Sequence, residues 1–343
     1  SFHMSGTEAV MQAVRLARYH TGRRKLVRFC GAYHGWWDDV QPGPGNPMPP
    51  GHVYTLRDMD ERSLQVLRRR RDIACVLVNP IQAMHPNRNA PGDTALVTGR
   101  HNTTVEREAY ARWLQRLREV CTECGIALIF DEVFLGFRLA PGGAQAYYGV
   151  QADLVTYGKT LGGGFPVGVV CGGLRWMQRY RNERPADLCF ARGTFNAHPY
   201  VMGAMNAFLR RLDSPEVQRL YDGMDERWQA ERERFNRALT EAGVPVRLDG
   251  LSTVWSVNFL CASRYHWMLQ FYLRRHRLAL SWVGSGRLVF GLQFTPAELA
   301  EVRAAFVQAC RDMQRDGWWD ALPDAGRSLR RRLAGEIWNA LRR

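Results

Sequence analysis

Asp153-Leu154-Val155-Thr156-Tyr157-Gly158-Lys159-Thr160-Leu161-Gly162-Gly163-Gly164-Phe165-Pro166-Val167-Gly168 is the stretch on which the reading of the chain turns. A short apolar run ends in one lysine and passes at once into a glycine-rich turn. Lysine suits the end of a buried strand only when its amine has a partner or a task, or reaches water. Partial desolvation makes an ammonium shed its proton more readily, leaving a nucleophile able to form a Schiff base. The glycines leave the backbone bare where a flat ligand needs close approach. Taken alone, the stretch reads more simply as a strand end with its lysine in water. The upstream segments change that.

Working outward, Ile126-Ala127-Leu128-Ile129-Phe130-Asp131-Glu132-Val133 is a buried strand that runs into a carboxylate. Asp131 is either a satisfied turn residue or a charge aimed at a ligand, and by itself the turn is the better reading. Ala74-Cys75-Val76-Leu77-Val78-Asn79-Pro80 is a continuous apolar run suited to a strand buried on both faces. Leu26 to Cys30 reads as a further strand, followed by the turn Gly31-Ala32-Tyr33-His34-Gly35-Trp36-Trp37. Aromatic residues between glycines at a strand's carboxyl end suit a platform for a flat ring, and ligands collect at this end of open parallel sheets. From Thr7 to about Tyr19 the apolar spacing is helical. Ser5 and Thr7 stand at its start, where unpaired N–H groups and the positive dipole end suit a phosphate, although N-capping alone explains both residues.

Helices expected over 61–71, 106–124 and 200–211 alternate with these strands, which predicts a mostly parallel sheet covered by helices on both faces. The segment 84–104 is polar, with Pro and Gly, and reads as a long functional or mobile loop. A charged helix over 214–242 looks like a connector. Beyond it, the strand 253–259, a helix over 265–275, strands at 279–282 and 287–290 and a helix from Thr295-Pro296 to Arg315 suggest a smaller α+β domain. The expected division is a large domain over 1–212 and a second over 213–343. The tail 326–343 is a basic amphipathic helix. The opening residues already resemble a fold interior, so an N-terminal segment is expected to precede them.

The composition sets outer bounds. A chain of 343 residues with 46% hydrophobic content supports two domains and a sizeable core. No apolar run approaches the length of a membrane span, and no signal peptide opens the chain. Net charge is +14, which favours acidic partners, but the runs Arg68–Arg71 and Arg330–Arg332 lack interleaved aromatics, so no specific nucleic-acid binding is expected. Cys121 and Cys124 form a CxxC with no second pair to complete a zinc site, so no metal is expected, and the eight cysteines read as reduced thiols of a cytoplasmic protein.

Together, Ser5-Gly6-Thr7-Glu8-Ala9, Tyr33-His34-Gly35, Asp131-Glu132-Val133 with Gly136-Phe137-Arg138, Gly158-Lys159 and Gly193-Thr194 resemble, in order, the motifs of class III aminotransferases. These are pyridoxal-phosphate enzymes of fold type I, and the nearest branch looks like that of glutamate-1-semialdehyde aminomutase. The resemblance implies an α/β fold with a mostly parallel seven-stranded-type sheet, pyridoxal 5′-phosphate as cofactor, and a homodimer. It implies that Lys159 forms the Schiff base and moves a proton, and that Asp131 pairs with the pyridine nitrogen. Tyr33 and Val133 would cover the two ring faces. Ser5, Gly6 and Thr7 belong to the phosphate-binding helix start, with Thr194 reaching the neighbouring subunit's phosphate. Gln82 matches a glutamine near the cofactor's phenolic oxygen, and His34 is either a ligand-side or a structural residue.

Relatives usually carry Glu-Pro where this chain has Asn79-Pro80. That departure, with Trp36-Trp37 and Trp282 to Arg287, suggests a different substrate pocket from the aminomutase's. The expected activity is amino transfer from a donor to a small-molecule or carrier-bound carbonyl acceptor. The alternatives are an intramolecular amino shift and a non-catalytic docking or regulatory protein.

Overall fold

The computed structural model describes residues 1–41, 46–48, 51–81, 107–261, 265–279 and 287–319, with a few positions between 331 and 339. Gln82, the loop 84–104, the strand expected at 279–282 beyond its first residue, and nearly all of the tail lie outside these. The chain divides into two compact units, the first running to Tyr221 and the second starting at Asp222.

The first unit is built on a seven-stranded sheet of order β1-β7-β6-β5-β4-β2-β3. In chain order these are Phe2–His3, Lys25–Phe29, Val53–Leu56, Ile73–Val78, Ala127–Asp131, Leu154–Gly158 and Gly168–Gly172. The five strands β3, β2, β4, β5 and β6 run parallel, while β7 is antiparallel to both β6 and β1. The sheet is thus mostly parallel, as expected. Strands β1 and β3 were not anticipated: two or four residues give too little periodicity, and their partners in the ladder select them.

Every residue of β4 and β5 is buried, which explains their unbroken apolar character. Alternate residues serve opposite layers. Leu26, Cys75, Leu77, Ala127, Ile129 and Leu154 pack with Ala9, Ala13, Leu16 and Ala17 of helix α1 (Gly6–Thr21). On the other face Phe29 meets Trp113 edge-on, at 5.6 Å between ring centroids. Trp113 belongs to the helix Arg107–Cys124. The alanines of α1 let its axis lie close to the strands. Ser5 caps the helix by accepting from Glu8 N at 3.1 Å, and Gly22 ends it in the left-handed conformation.

A two-stranded ribbon, Tyr180–Arg181 with Arg184–Leu188, precedes the helix Pro199–Leu212. Its alternation is mostly polar and exposed, so nothing in the sequence marked it.

The second unit holds the antiparallel strands Val246–Leu251, Val254–Phe259 and Arg287–Val289 with the helices Met224–Glu241, Leu269–Arg275 and Pro296–Arg315. The last of these starts with a full capping box, Thr295 and Glu298 each bonding the other's backbone. The single connector helix expected over 214–242 is instead two pieces, Pro215–Gln218 and Met224–Glu241. Gly223, with φ of 58°, turns the chain between them, and its charged surroundings concealed the break.

Candidate active site

The carboxyl ends of β2, β4, β5 and β6 gather the residues that the motifs single out. Asp131 closes β5 and is buried. Its Oδ1 accepts from Val133 N at 3.1 Å and from Thr156 Oγ1 at 3.2 Å. Its Oδ2 lies 2.8 Å from His34 Nδ1 and accepts from Asn79 Nδ2 at 3.1 Å. One oxygen of Asp131 thus closes the turn, as the turn reading expects, and the other meets the side chains of His34, after β2, and Asn79, after β4. An ionised carboxylate only accepts, so the His34 hydrogen must sit on Nδ1. Nε2 of the same ring is buried without a hydrogen-bond partner.

Asp131 lies opposite Thr156 in the parallel ladder, and Lys159 follows at the end of β6. Lys159 begins a tight turn, Lys159–Gly162, and adopts φ of 43°. A left-handed backbone at a non-glycine residue costs on the order of 1–3 kcal/mol and concentrates at functional positions. Its side chain is exposed in the single chain. The turn packs against Val201 and Met205 of the helix Pro199–Leu212 through Leu161 and Val167.

The start of α1 is held against the same corner by close glycine contacts. A Cβ on Gly168 would stand 1.9 Å from Ser5 O, and Gly168 is the ladder partner of Gly158. A Cβ on Gly6 would meet Val133 Cγ1 at 2.4 Å, and one on Gly158 the same methyl at 3.0 Å. A Cβ on Gly35 would stand 2.5 Å from Thr7 Oγ1. Val133 thus touches both the helix start and the lysine strand, and Thr7 touches the turn that carries Tyr33 and His34. Ser5, Gly6, Thr7, His34, Asp131, Val133 and Lys159 are brought to one corner. Tyr33 stands beside them, 53% exposed, its N–H donating to Asn79 Oδ1 at 3.1 Å.

Thr194 is exposed, and its neighbour Gly193 lies beside His3 and Glu8 near the start of α1. Gln82 lies outside the described residues. Trp37 packs on the hydrophobic core and Trp36 is exposed, so of this pair only Trp36 is free to line a pocket.

Three residues of the corner were missed. Thr156 sat inside the opening stretch, and only its register opposite Asp131 shows its part. Asn79 was visible as a departure from the family pattern, and its position at the end of a buried strand next to β5 was the signal of its contact. Glu132, fully buried, accepts from Ala144 N through Oε2 at 2.7 Å, while Oε1 has no hydrogen-bond partner. Burial pushes its carboxyl up to about 7, the neighbouring charge of Asp131 adding to the rise and the Ala144 and Gln145 N–H groups opposing it. A Cβ on Gly143 would stand 2.4 Å from Glu132 Oε2, so this position has no room for any larger residue.

The donors and cradle fit a flat, nitrogen-containing ring that bears a phosphate. A buried acceptor faces the corner at Asp131, and methyl groups of Val133 offer an apolar surface. The first N–H groups of α1 have no intrahelical partners, and a primary amine stands on the adjacent strand. Among the described residues no cluster of His, Cys, Asp and Glu has the arrangement of a metal site.

The class III aminotransferase family model matches residues 106–268. The chain is 37% identical over 272 residues to the glutamate-1-semialdehyde 2,1-aminomutase of Methanothermobacter thermautotrophicus, covering 75% of this chain and 59% of that protein. The chain therefore spans little more than half the length of that relative. Among solved structures, a transaminase with PLP bound superimposes with a TM-score of 0.73 at 30% identity, covering 92% of this chain and 74% of that one. The β-phenylalanine aminotransferase of Variovorax paradoxus gives 0.72 at 29% identity, covering 92% and 70%.

Proposed function

This chain belongs to the class III aminotransferase family, and from that premise we propose that it binds pyridoxal 5′-phosphate and transfers an amino group from a donor to a small carbonyl acceptor. The observation that carries the reading is the convergence of Lys159, Asp131 and the start of α1 through Val133, Gly158 and Gly168. When bound, the cofactor supplies an electron sink for the substrate carbon that loses its proton.

Lys159 would hold the cofactor through Nζ, and the same amine would serve as the base that moves a proton from and to the substrate carbon. Asp131, whose carboxylate oxygens meet four donors, is the group that would pair with the ring nitrogen. Ser5 orders the helix start, where Gly6 and Thr7 offer N–H groups and a hydroxyl to the phosphate. Val133 would pack on one ring face and Tyr33 on the other, and Gln82 would reach the phenolic oxygen.

We assign Thr194 to the phosphate of a second copy of the chain. In support, Thr194 is flanked by Phe190, Phe195 and Tyr200, all exposed in the single chain, an apolar surface suited to burial in a homodimer. No helix among the described residues is long and apolar enough to cross a membrane.

Likeness to the aminomutase supports a second reading, an intramolecular amino shift on one substrate. The test of the first reading is reduction with borohydride in the presence of the cofactor. The expected result is a stable adduct on Lys159 that Lys159→Ala does not form; an undiminished adduct in that variant removes the lysine from its role. A screen of amino donors then separates the activities, since transfer needs a donor as well as an acceptor and the amino shift proceeds on a single compound.

A further inference from the structure

Asn79 stands just past the end of β4, buried, between the turn that follows β2 and the end of β5. Its Oδ1 accepts from Tyr33 N and its Nδ2 donates to Asp131 Oδ2, both at 3.1 Å. Turning the amide over would set an oxygen against the carboxylate and an NH2 group against the Tyr33 N–H. Only one orientation is therefore compatible with its neighbours. The 3.3 Å approach of Nδ2 to His34 Nδ1 sets donor beside donor, because both hydrogens are directed to the same oxygen of Asp131.

We infer that Asn79 is a positioning residue: one amide ties the backbone of Tyr33 to the carboxylate of Asp131 and fixes the direction of that carboxylate. The inference rests on the functional reading above. An acid at position 79 would place a second carboxyl against Asp131. Two such groups cannot both ionise cheaply, so that pair would retain a proton at low pH and repel at high pH. The amide donates at every pH. Its effect is to make the hold on the ring insensitive to acidity from this direction.

The titratable groups near the contact are His34 from the turn after β2, Asp131 at the end of β5 and Glu132 just past it, with the Thr156 hydroxyl on β6. They are present in every variant below, so the quantity to compare is each variant's Kd for pyridoxal 5′-phosphate relative to the parent's at the same pH. Equilibrium dialysis of the full chain at about pH 5.5 and about pH 8.5 supplies it. Asn79→Asp is expected to match the parent at the lower pH, where its protonated carboxyl donates as the amide does. It is expected to bind about tenfold more weakly at the higher pH. Asn79→Ala is expected to be weaker by about tenfold at both.

A loss in Asn79→Asp that is the same at both pH values, or no loss at all, overturns the inference. Asn79→Ala binding as tightly as the parent overturns it too, and decides alone if the aspartate variant does not fold. A parent chain that takes up no cofactor overturns the functional reading and this inference with it. A parent that binds while the variants fail these expectations removes the inference only.

Discussion

Lys159 and Glu132 both stand in states that their residue types disfavour. Lys159 carries a left-handed backbone, and Glu132 is fully buried beside another carboxylate. For Glu132 the consequence is a pH dependence of known sign. In the unfolded chain the carboxyl ionises near 4.5, and in the folded chain near 7. Between these values the folded state binds more protons than the unfolded one, so stability falls as pH rises through the window. Above it, the folded protein carries the whole cost of a buried charge, up to about 3 kcal/mol. Glu132→Gln keeps an acceptor for Ala144 N and removes the charge. It is expected to raise the urea midpoint relative to the parent at pH 8, with the difference vanishing below pH 4.5. Equal midpoints at pH 8 would mean that the carboxylate is not desolvated. The sequence showed Asp131 as a choice between turn and ligand. It could not show the contacts of the second oxygen, because His34 and Asn79 reach Asp131 from 97 and 52 positions away.

At the level of elements, the site depends on how one helix start is seated on the sheet. Gly168→Ala places a methyl against Ser5 O and must lift the start of α1 or shift β7. Overpacking of this kind costs about 1–3 kcal/mol. The variant is expected to lose cofactor affinity and melting temperature together, as fluorescence titration and calorimetry will read. Unchanged values would show that α1 yields freely at this contact. The long periodic elements were legible: α1, the continuous strands β4 and β5, and the final helix from Pro296 all stand where their apolar spacing and caps place them. The elements that escaped are short or polar, such as β3 and the ribbon at 180–188, and they exist through their pairing partners rather than through local preference. The break at Gly223 was hidden for a related reason. Charged residues on both sides satisfy a helix and a turn equally well, and only the backbone of Gly223 distinguishes them.

For the whole molecule, the proposed assembly makes a prediction that no single chain can satisfy. If Thr194 serves a partner's phosphate, Thr194→Ala and Lys159→Ala damage different halves of each site. A hybrid of the two contains one site with an intact lysine and an intact threonine. Mixing the two variants under conditions of subunit exchange is therefore expected to restore tight cofactor uptake that neither shows alone. Sedimentation should give about twice the chain's 39.3 kDa. Absence of any restoration, with exchange verified, would place Thr194 in its own chain's site or in none. Gly158 and Gly168 face each other across an antiparallel ladder, and Gly168 in turn bears on Ser5. Inserting one residue within either paired strand would force that ladder either to bulge or to slip, and a slip would expose one whole side of the strand in exchange for the other. Descendants of this chain under selection for new chemistry are thus confined there to substitutions, with insertions and deletions pushed to the rim.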